Sequence, residues 1–387
     1  MQQRTRKRRA KKEFFYDYTL LFIVLFLVCF GLIMLYSVSS YEANLKFNDP
    51  AYYLKKQIFA TAIGLVVMVA ANLIDYHRWE KYAVLGYLIS IVMIFLVMSP
   101  IGREYNGAKR WIYFGSISVQ PAEVAKIALI LLVTVLICKM GRGISTMKGF
   151  LLIMGVAAVP TLLILVITSN LSSAIIVMGI AVLMCFVADP KYKKFFLAAI
   201  AVLAVAAIAV AWIVSTTAGE EGSGNYRFDR VLAWLSPEDF ADDEGFQTLQ
   251  ALYAIGSGGI WGKGLGQSMQ KLGFLPEAQN DMVFSIICEE LGLFGAFCVI
   301  LLFIMLIWRF MFIANNAPDL FGALLVVGVM SHFSIQVILN IAVVTNSIPN
   351  TGITLPFISY GGTSIVFLLA EVGLVLNVAS QIQIYNE

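Results

Sequence analysis

Glu277 and Asp281 stand four residues apart in the stretch Lys271-Leu272-Gly273-Phe274-Leu275-Pro276-Glu277-Ala278-Gln279-Asn280-Asp281-Met282-Val283-Phe284, where a long polar segment gives way to a long apolar one. A carboxylate at such a junction can take a proton from a hydroxyl, and so act as general base on a substrate held at a membrane surface. Asp281, Ser285 and Glu289 recur every four residues, the spacing of one helical face. Glu289 then lies about 12 Å deeper at ~1.5 Å per residue. An acid at that depth faces a cavity or a partner, or is protonated. Asp also favours helix N-caps, so capping alone is the competing explanation for Asp281.

The second group is cationic. Arg103, Lys109 and Arg110 lead into Gln120-Pro121-Ala122-Glu123-Val124-Ala125-Lys126, with Pro121 at a favoured first-turn position. Glu123 and Lys126, at i and i+3, either satisfy one another as an ion pair or join Arg110 in a cradle for phosphate or pyrophosphate. In the cradle, Glu123 orients Lys126 rather than reacting.

Other signals are weaker. Gly262-Lys263-Gly264-Leu265-Gly266 lacks the spacing and the preceding strand of a nucleotide loop. His77 and His332 lie far apart and make no metal site, and packing accounts for His332. Gln336 and Asn340, one turn apart, fit interhelical hydrogen bonding. Glu371 has no assigned role. The five cysteines show no metal-ligand spacing and suit buried structural thiols.

The elements positioning these groups are membrane helices. The chain has 387 residues, 60% hydrophobic and only 13% charged, against about 25% charged in a soluble domain. Apolar runs near 20 residues recur throughout, each able to cross ~30 Å of hydrocarbon. The expected fold is all-α, polytopic, with ten spans at about 17–39, 57–74, 82–99, 121–138, 149–167, 171–187, 195–214, 281–308, 319–344 and 356–379. No alternating short strands suggest a barrel. Residues 1–387 form a single membrane domain, with a basic tail over 1–16 and a large loop over 215–280. In that loop Phe228, Val231, Leu232 and Leu235, with Trp234 alongside, have the spacing of a short interfacial helix.

The net charge of +3 hides an asymmetry. Residues 4–12 carry seven cations directly before a span, which suits a cytoplasmic anchor on anionic lipid better than a nucleic-acid arm. With the N-terminus inside, sixteen Lys and Arg fall on the cytoplasmic side and six in short outer loops. Both termini are then cytoplasmic, and the acidic and cationic groups collect at the outer rim. A transporter would more often place charges near mid-membrane.

Several segments together resemble the SEDS family (shape, elongation, division and sporulation proteins) of cell-wall glycosyltransferases, in its FtsW and SpoVE type. They are Gly107-Ala108-Lys109-Arg110-Trp111-Ile112, Gln120-Pro121-Ala122-Glu123, Gly264-Leu265-Gly266-Gln267-Ser268, Leu275-Pro276-Glu277-Ala278-Gln279-Asn280-Asp281 with Glu289-Glu290-Leu291-Gly292, and Gly352-Ile353-Thr354-Leu355-Pro356-Phe357-Ile358-Ser359-Tyr360-Gly361-Gly362. The resemblance implies polymerisation of lipid II, the undecaprenyl-pyrophosphate-linked disaccharide-peptide, into glycan strands at the outer face of the bacterial cytoplasmic membrane, at the division septum. It implies a class B penicillin-binding protein as partner, alongside other divisome membrane proteins and membrane lipids. It makes Asp281 the catalytic carboxylate. Arg110, Lys126, Glu123, Lys109, Arg103, Glu277, Ser359 and Gly361 become substrate-binding candidates. No cofactor is required, though a divalent cation at the pyrophosphate is compatible. The chain departs from the family at Ser169-Asn170-Leu171-Ser172, where Pro-Asp-Leu-Gly is common, and at Asn280-Asp281, where Thr-Asp is frequent. The alternatives are a lipid II flippase and a scaffold that recruits the transpeptidase without catalysis.

Overall fold

The computed structural model describes residues 16–105, 108–115, 117–200, 204, 208, 210–211, 226–241 and 245–382. The basic tail, the end of the expected 195–214 span and much of the loop start lie outside them. The helices are α1 (Tyr18–Phe47), α2 (Tyr52–Leu73), α3 (His77–Leu96), α4 (Pro121–Met140), α5 (Met147–Ile167), α6 (Leu171–Ala188), α7 (Tyr226–Leu235), α8 (Phe246–Gly258), α9 (Val283–Asn316), α10 (Leu320–Val344) and α11 (Ser364–Ser380). Residues 193–200 are also helical. Among the described residues, eight helices are long and apolar enough to cross a membrane, and α11 is a shorter apolar helix. The protein is an integral membrane protein, and its exposed Leu, Phe and Ile side chains suit contact with lipid.

Each helix begins where local chemistry permits. Asp17 accepts from Leu20 N (2.9 Å), Asn170 from Ser173 N (3.0 Å) and Asp319 from Gly322 N (2.8 Å), each satisfying a donor with no intrahelical partner. Asn170 therefore caps α6 as an aspartate would, so the amide at this family departure keeps the cap. Pro121 opens α4, where its missing N–H costs nothing. α4 and α10 are the most enclosed spans, while α3 and α5 are among the least. The core runs between them and on to α6, α9 and α11.

Three features depart from a plain bundle. First, an antiparallel three-stranded sheet, β1 (Gly102–Tyr105), β2 (Ala108–Phe114) and β3 (Ile117–Val119), in the order β1-β2-β3, precedes α4. No pattern in the sequence marks it. The strands are short and mixed in polarity, so they carry no clean two-residue period.

Second, α9 is broken at Gly292, whose φ of 68° and ψ of −170° are not helical. Leu293 N and Phe294 N should bond the carbonyls of Glu289 and Glu290. Instead they donate to Gly259 O (2.9 Å) and Ile260 O (3.1 Å), while Glu289 O and Glu290 O accept from Lys263 N and Gly264 N (both 2.9 Å). The loop thus replaces the helix's own lost bonds. It reaches roughly 14 Å along α9 from Val283 at ~1.5 Å per residue, so it re-enters the bundle. A Cβ on Gly292 would stand 2.3 Å from Gly262 N. Close approach accounts for Gly262, while Gly264 and Gly266, with no backbone in the way, serve a positive φ of 103° and 81°.

Third, residues 352–362 also descend into the bundle. Ile353, Leu355, Phe357 and Ile358 are buried, and the Phe357 ring lies 5.4 Å from that of Phe333 in α10. A Cβ on Gly31, midway along α1, would meet Phe357 O at 2.2 Å. This segment occupies the depth that the sequence reading gave to a helix from residue 356. It explains why α11 begins only at Ser364. Irregular backbone is tolerable there because protein, not lipid, surrounds it.

Candidate active site at the Asp281 end of the bundle

The loops at one end of the bundle are tied together by backbone and side-chain hydrogen bonds. Tyr360 N donates to Gln279 O (2.8 Å), joining the 352–362 segment to the turn that carries Glu277 and Asp281. Asn340 Nδ2, from α10, donates to both Asp281 O (2.8 Å) and Ile353 O (2.6 Å), and Gln336 Nε2 donates to Thr354 O (3.0 Å). These amides therefore hold loop carbonyls, where the sequence reading assigned them to helix–helix bonding. Gln247 of α8 donates to Pro276 O (3.2 Å) and accepts from Asn350 Nδ2 (2.8 Å). Trp234 of α7 donates to Asn346 O (3.0 Å). The expected amphipathic helix is present over Tyr226–Leu235, and it docks on the loop that follows α10.

Asp281 sits at the centre of this weave. It lies in the turn before α9, which starts at Val283, so the proposed common face with Ser285 and Glu289 does not exist. Ser285 Oγ donates back to Met282 O (2.7 Å). The N-cap is Met282, with no side-chain cap bond, so helix capping does not account for Asp281. The residue is 8% exposed, and its Oδ1 is buried with no hydrogen-bond partner. Burial pushes its carboxyl up to about 7, the nearby Glu277 charge adds to the rise, and Arg230 opposes it. A buried acid poised near neutrality is what a general base requires. Gly352 leaves room beside it: a Cβ there would lie 3.7 Å from Asp281 Oδ2.

The other candidates take distinct places. Glu277, partly buried and at a positive φ of 53°, accepts from the Asn280 side-chain amide. Ser359 is buried, and its Oγ accepts from Leu355 N (2.8 Å). Gly361 O accepts from Ser364 N (2.8 Å) at the mouth of α11. Both shape the 352–362 segment. Arg103 in β1 stacks over the Tyr113 ring at 5.0 Å, and Lys109 in β2 is exposed. Arg110 donates to Thr168 O (3.4 Å) and Ser169 O (3.2 Å), tying the sheet to the α5–α6 turn. Thr363 Oγ1 donates to Ser118 O (2.5 Å), tying the sheet to α11.

Lys126 is buried at 2% exposure. The ion pair with Glu123 is real, at 2.8 Å, but it does not stand alone: Lys126 Nζ also lies 2.9 Å from His332 Nε2. His332 is thus a polar partner rather than packing, and Glu371, unassigned from sequence, holds its other nitrogen at 2.8 Å. Glu289 and Glu290 are neutralised by the re-entrant loop. Lys263 reaches Glu289 and Lys271 reaches Glu290, each at 2.7 Å. The sequence showed these lysines only as loop charges, because their partners lie 19 and 26 residues away.

The sequence pattern of the FtsW/RodA/SpoVE family, described as cell cycle protein, matches residues 18–384. Stage V sporulation protein E of Bacillus subtilis is 38% identical over 366 residues, covering 94% of this chain and 96% of the relative. A probable peptidoglycan glycosyltransferase FtsW of Geobacter metallireducens is 38% identical over 372 residues, covering 95% and 96%. Among solved structures, a chain from a peptidoglycan synthase complex, in which polymerization and crosslinking are coordinated, superposes with a TM-score of 0.76. It shares 27% identity, with 95% of this chain and 98% of that one covered. The rod shape determining protein RodA of Thermus thermophilus superposes with a TM-score of 0.67 at 26% identity, with 96% and 98% covered. A match over nearly the whole chain, by sequence and by fold, places this protein in the FtsW/RodA/SpoVE family of cell cycle proteins.

Proposed function

We propose that the protein is a peptidoglycan glycosyltransferase that polymerises lipid II, with Asp281 as general base. One observation carries the assignment: a buried carboxylate with an unpartnered oxygen and a pKa near 7, at the junction of polar rim and apolar bundle. Relatives named for this activity support it. The sugar 4-hydroxyl of one lipid II attacks the anomeric carbon of the growing chain. Asp281 takes the hydroxyl proton as the new glycosidic bond forms. The bond from the anomeric carbon to pyrophosphate breaks, and configuration inverts. Base assistance of this kind contributes typically ~10²–10⁴-fold.

The departing pyrophosphate needs cations, and Arg110 and Lys126 are the proposed ligands, with Arg103 and Lys109 behind them. Glu277, Ser359 and Gly361 shape the acceptor side. The Asp281 end faces the cell exterior, both termini are cytoplasmic, and the protein works at the septum beside a class B penicillin-binding protein. Chemistry proceeds without a resident cofactor, and a titration with divalent cation tests that point.

The test is polymerisation by purified protein given lipid II, with and without the transpeptidase. Wild type makes glycan strands and Asp281→Asn makes none while still inserting and binding its partner. Strands from Asp281→Asn at the wild-type rate would remove the base. No strands from wild type, with partner binding intact, would favour the flippase or scaffold.

A further inference from the structure

Lys126 is backed by a buried polar chain that the reaction above leaves unexplained. Glu123 Oε1, Lys126 Nζ, His332 Nε2, His332 Nδ1 and Glu371 Oε2 follow one another at 2.8, 2.9 and 2.8 Å between side chains. Three helices contribute: α4, α10 and α11. All four residues are at most 6% exposed. Glu123 Oε2 and Glu371 Oε1 are buried without hydrogen-bond partners. Such a cluster is expensive within a membrane span, where apolar side chains of similar volume pack at lower cost. Packing is therefore a poor account of it.

The hydrogen-bond chemistry gives a better one. An ammonium donates and cannot accept, so His332 Nε2 must carry the lone pair. The neutral ring then holds its proton on Nδ1, where it donates to Glu371. The carboxylate thus fixes the tautomer, as outer carboxylates do for metal-bound histidines. The ammonium of Lys126 is a rotor with three N–H bonds. Glu123 and His332 fix two of their directions, and tetrahedral geometry fixes the third.

We infer that His332, its tautomer set by Glu371, is a positioning residue that aims the third N–H of Lys126 at the departing pyrophosphate. This rests on the glycosyltransferase reading and on Lys126 as a pyrophosphate ligand. Without His332 the ammonium keeps one anchor, Glu123, and turns about its Cε–Nζ bond.

Two measurements test it. The chain has two histidines, so ¹⁵N-histidine labelling gives two imidazole spin systems, and His77→Gln assigns them. His332 is expected as the neutral Nδ1–H tautomer in the wild type, and Glu371→Ala is expected to erase that preference. A wild-type ring protonated on Nε2 overturns the inference. In the polymerisation assay, His332→Phe removes the acceptor at similar shape. It is expected to lower kcat roughly tenfold or more with little change in KM, because the aim matters in the transition state. His332→Gln, whose amide oxygen can accept from Lys126, regains most of the loss. In a Lys126→Ala background His332→Phe has no further effect, an outcome that a purely structural role would not give. Wild-type kcat in His332→Phe, or additive losses in the double variant, overturns the inference while leaving the glycosyltransferase reading intact. Inactive wild type would instead remove that reading, and this one with it. If His332→Phe does not accumulate, the wild-type tautomer and the kcat of His332→Gln, near wild type if the inference holds, decide.

Discussion

At the scale of residues, Asp281 is the buried acid that, among the described residues, has neither a cation nor a histidine against it. Glu123, Glu289, Glu290 and Glu371 are all engaged by a cation or a histidine, whereas Asp281 Oδ1 has no partner. Its proton has consequences for rate and for stability. Base catalysis needs the ionised form, so polymerisation is expected to rise with pH through about 7 and to fade below it. A pH–rate profile flat from 5.5 to 8 would contradict that. For stability the sign is opposite. The folded state holds a proton up to about 7 that the unfolded chain releases near 4. Folded stability therefore falls as pH rises across that window. Asp281→Asn, which cannot ionise, is expected to raise Tm at pH 8 and to gain little at pH 4. Thermal unfolding in detergent at the two pH values reads the difference directly. Arg110→Ala should raise the KM for lipid II roughly tenfold, about 1.4 kcal/mol, even with Lys126 in place. Unchanged kinetics would reduce Arg110 to its bonds with the α5–α6 turn.

At the scale of elements, the re-entrant loop and the broken α9 form one unit. Lys271 and Glu290 are 6% and 0% exposed, so removing the lysine leaves a carboxylate buried and unpaired. Lys271→Met is expected to destabilise the fold by about 3–5 kcal/mol, and adding Glu290→Gln should recover much of it. Equal Tm values for the single and double variants would show that the pair carries no such coupling.

This unit also marks where sequence reading stopped. The spans were legible because a 20-residue apolar run has few other fates, and Asp281 because a carboxylate at a polar–apolar junction stands out. The partners of Glu289 and Glu290 were not legible. They depend on a loop folding back into the bundle, and no local period encodes that return. The role of His332 is hidden for the same reason: a lone histidine in a span looks like packing until Lys126 and Glu371 arrive from other helices. Gly258 and Gly262 were visible but lacked a meaning until the helix they approach was found to be broken.

At the scale of the whole molecule, the elements of the candidate site gather at one end. The sheet, the α5–α6 turn, α7, α8 and both re-entrant segments meet there, while the opposite end has pairs such as Arg309 with Asp17 (2.8 Å) and the Tyr76–Asp319 hydrogen bond. The charge asymmetry predicts that the Asp281 end is outside. In a chain whose five cysteines are replaced, Lys109→Cys should react with a membrane-impermeant maleimide in intact spheroplasts, and Arg142→Cys only after lysis. The reverse pattern would invert the assigned orientation.

The order of the chain gives the broken helix a further consequence, in biogenesis. Lys263 and Lys271, the countercharges of Glu289 and Glu290, precede both acids in sequence, as does Ser37, whose hydroxyl donates to Glu290. A ribosome therefore delivers the countercharges before the acids. When α9 leaves the insertion machinery, each carboxylate meets a lysine already made, and neither waits exposed to hydrocarbon. A circular permutant that placed 258–271 after α9 would hold the same finished contacts. It would have to carry two unpaired acids into the membrane first.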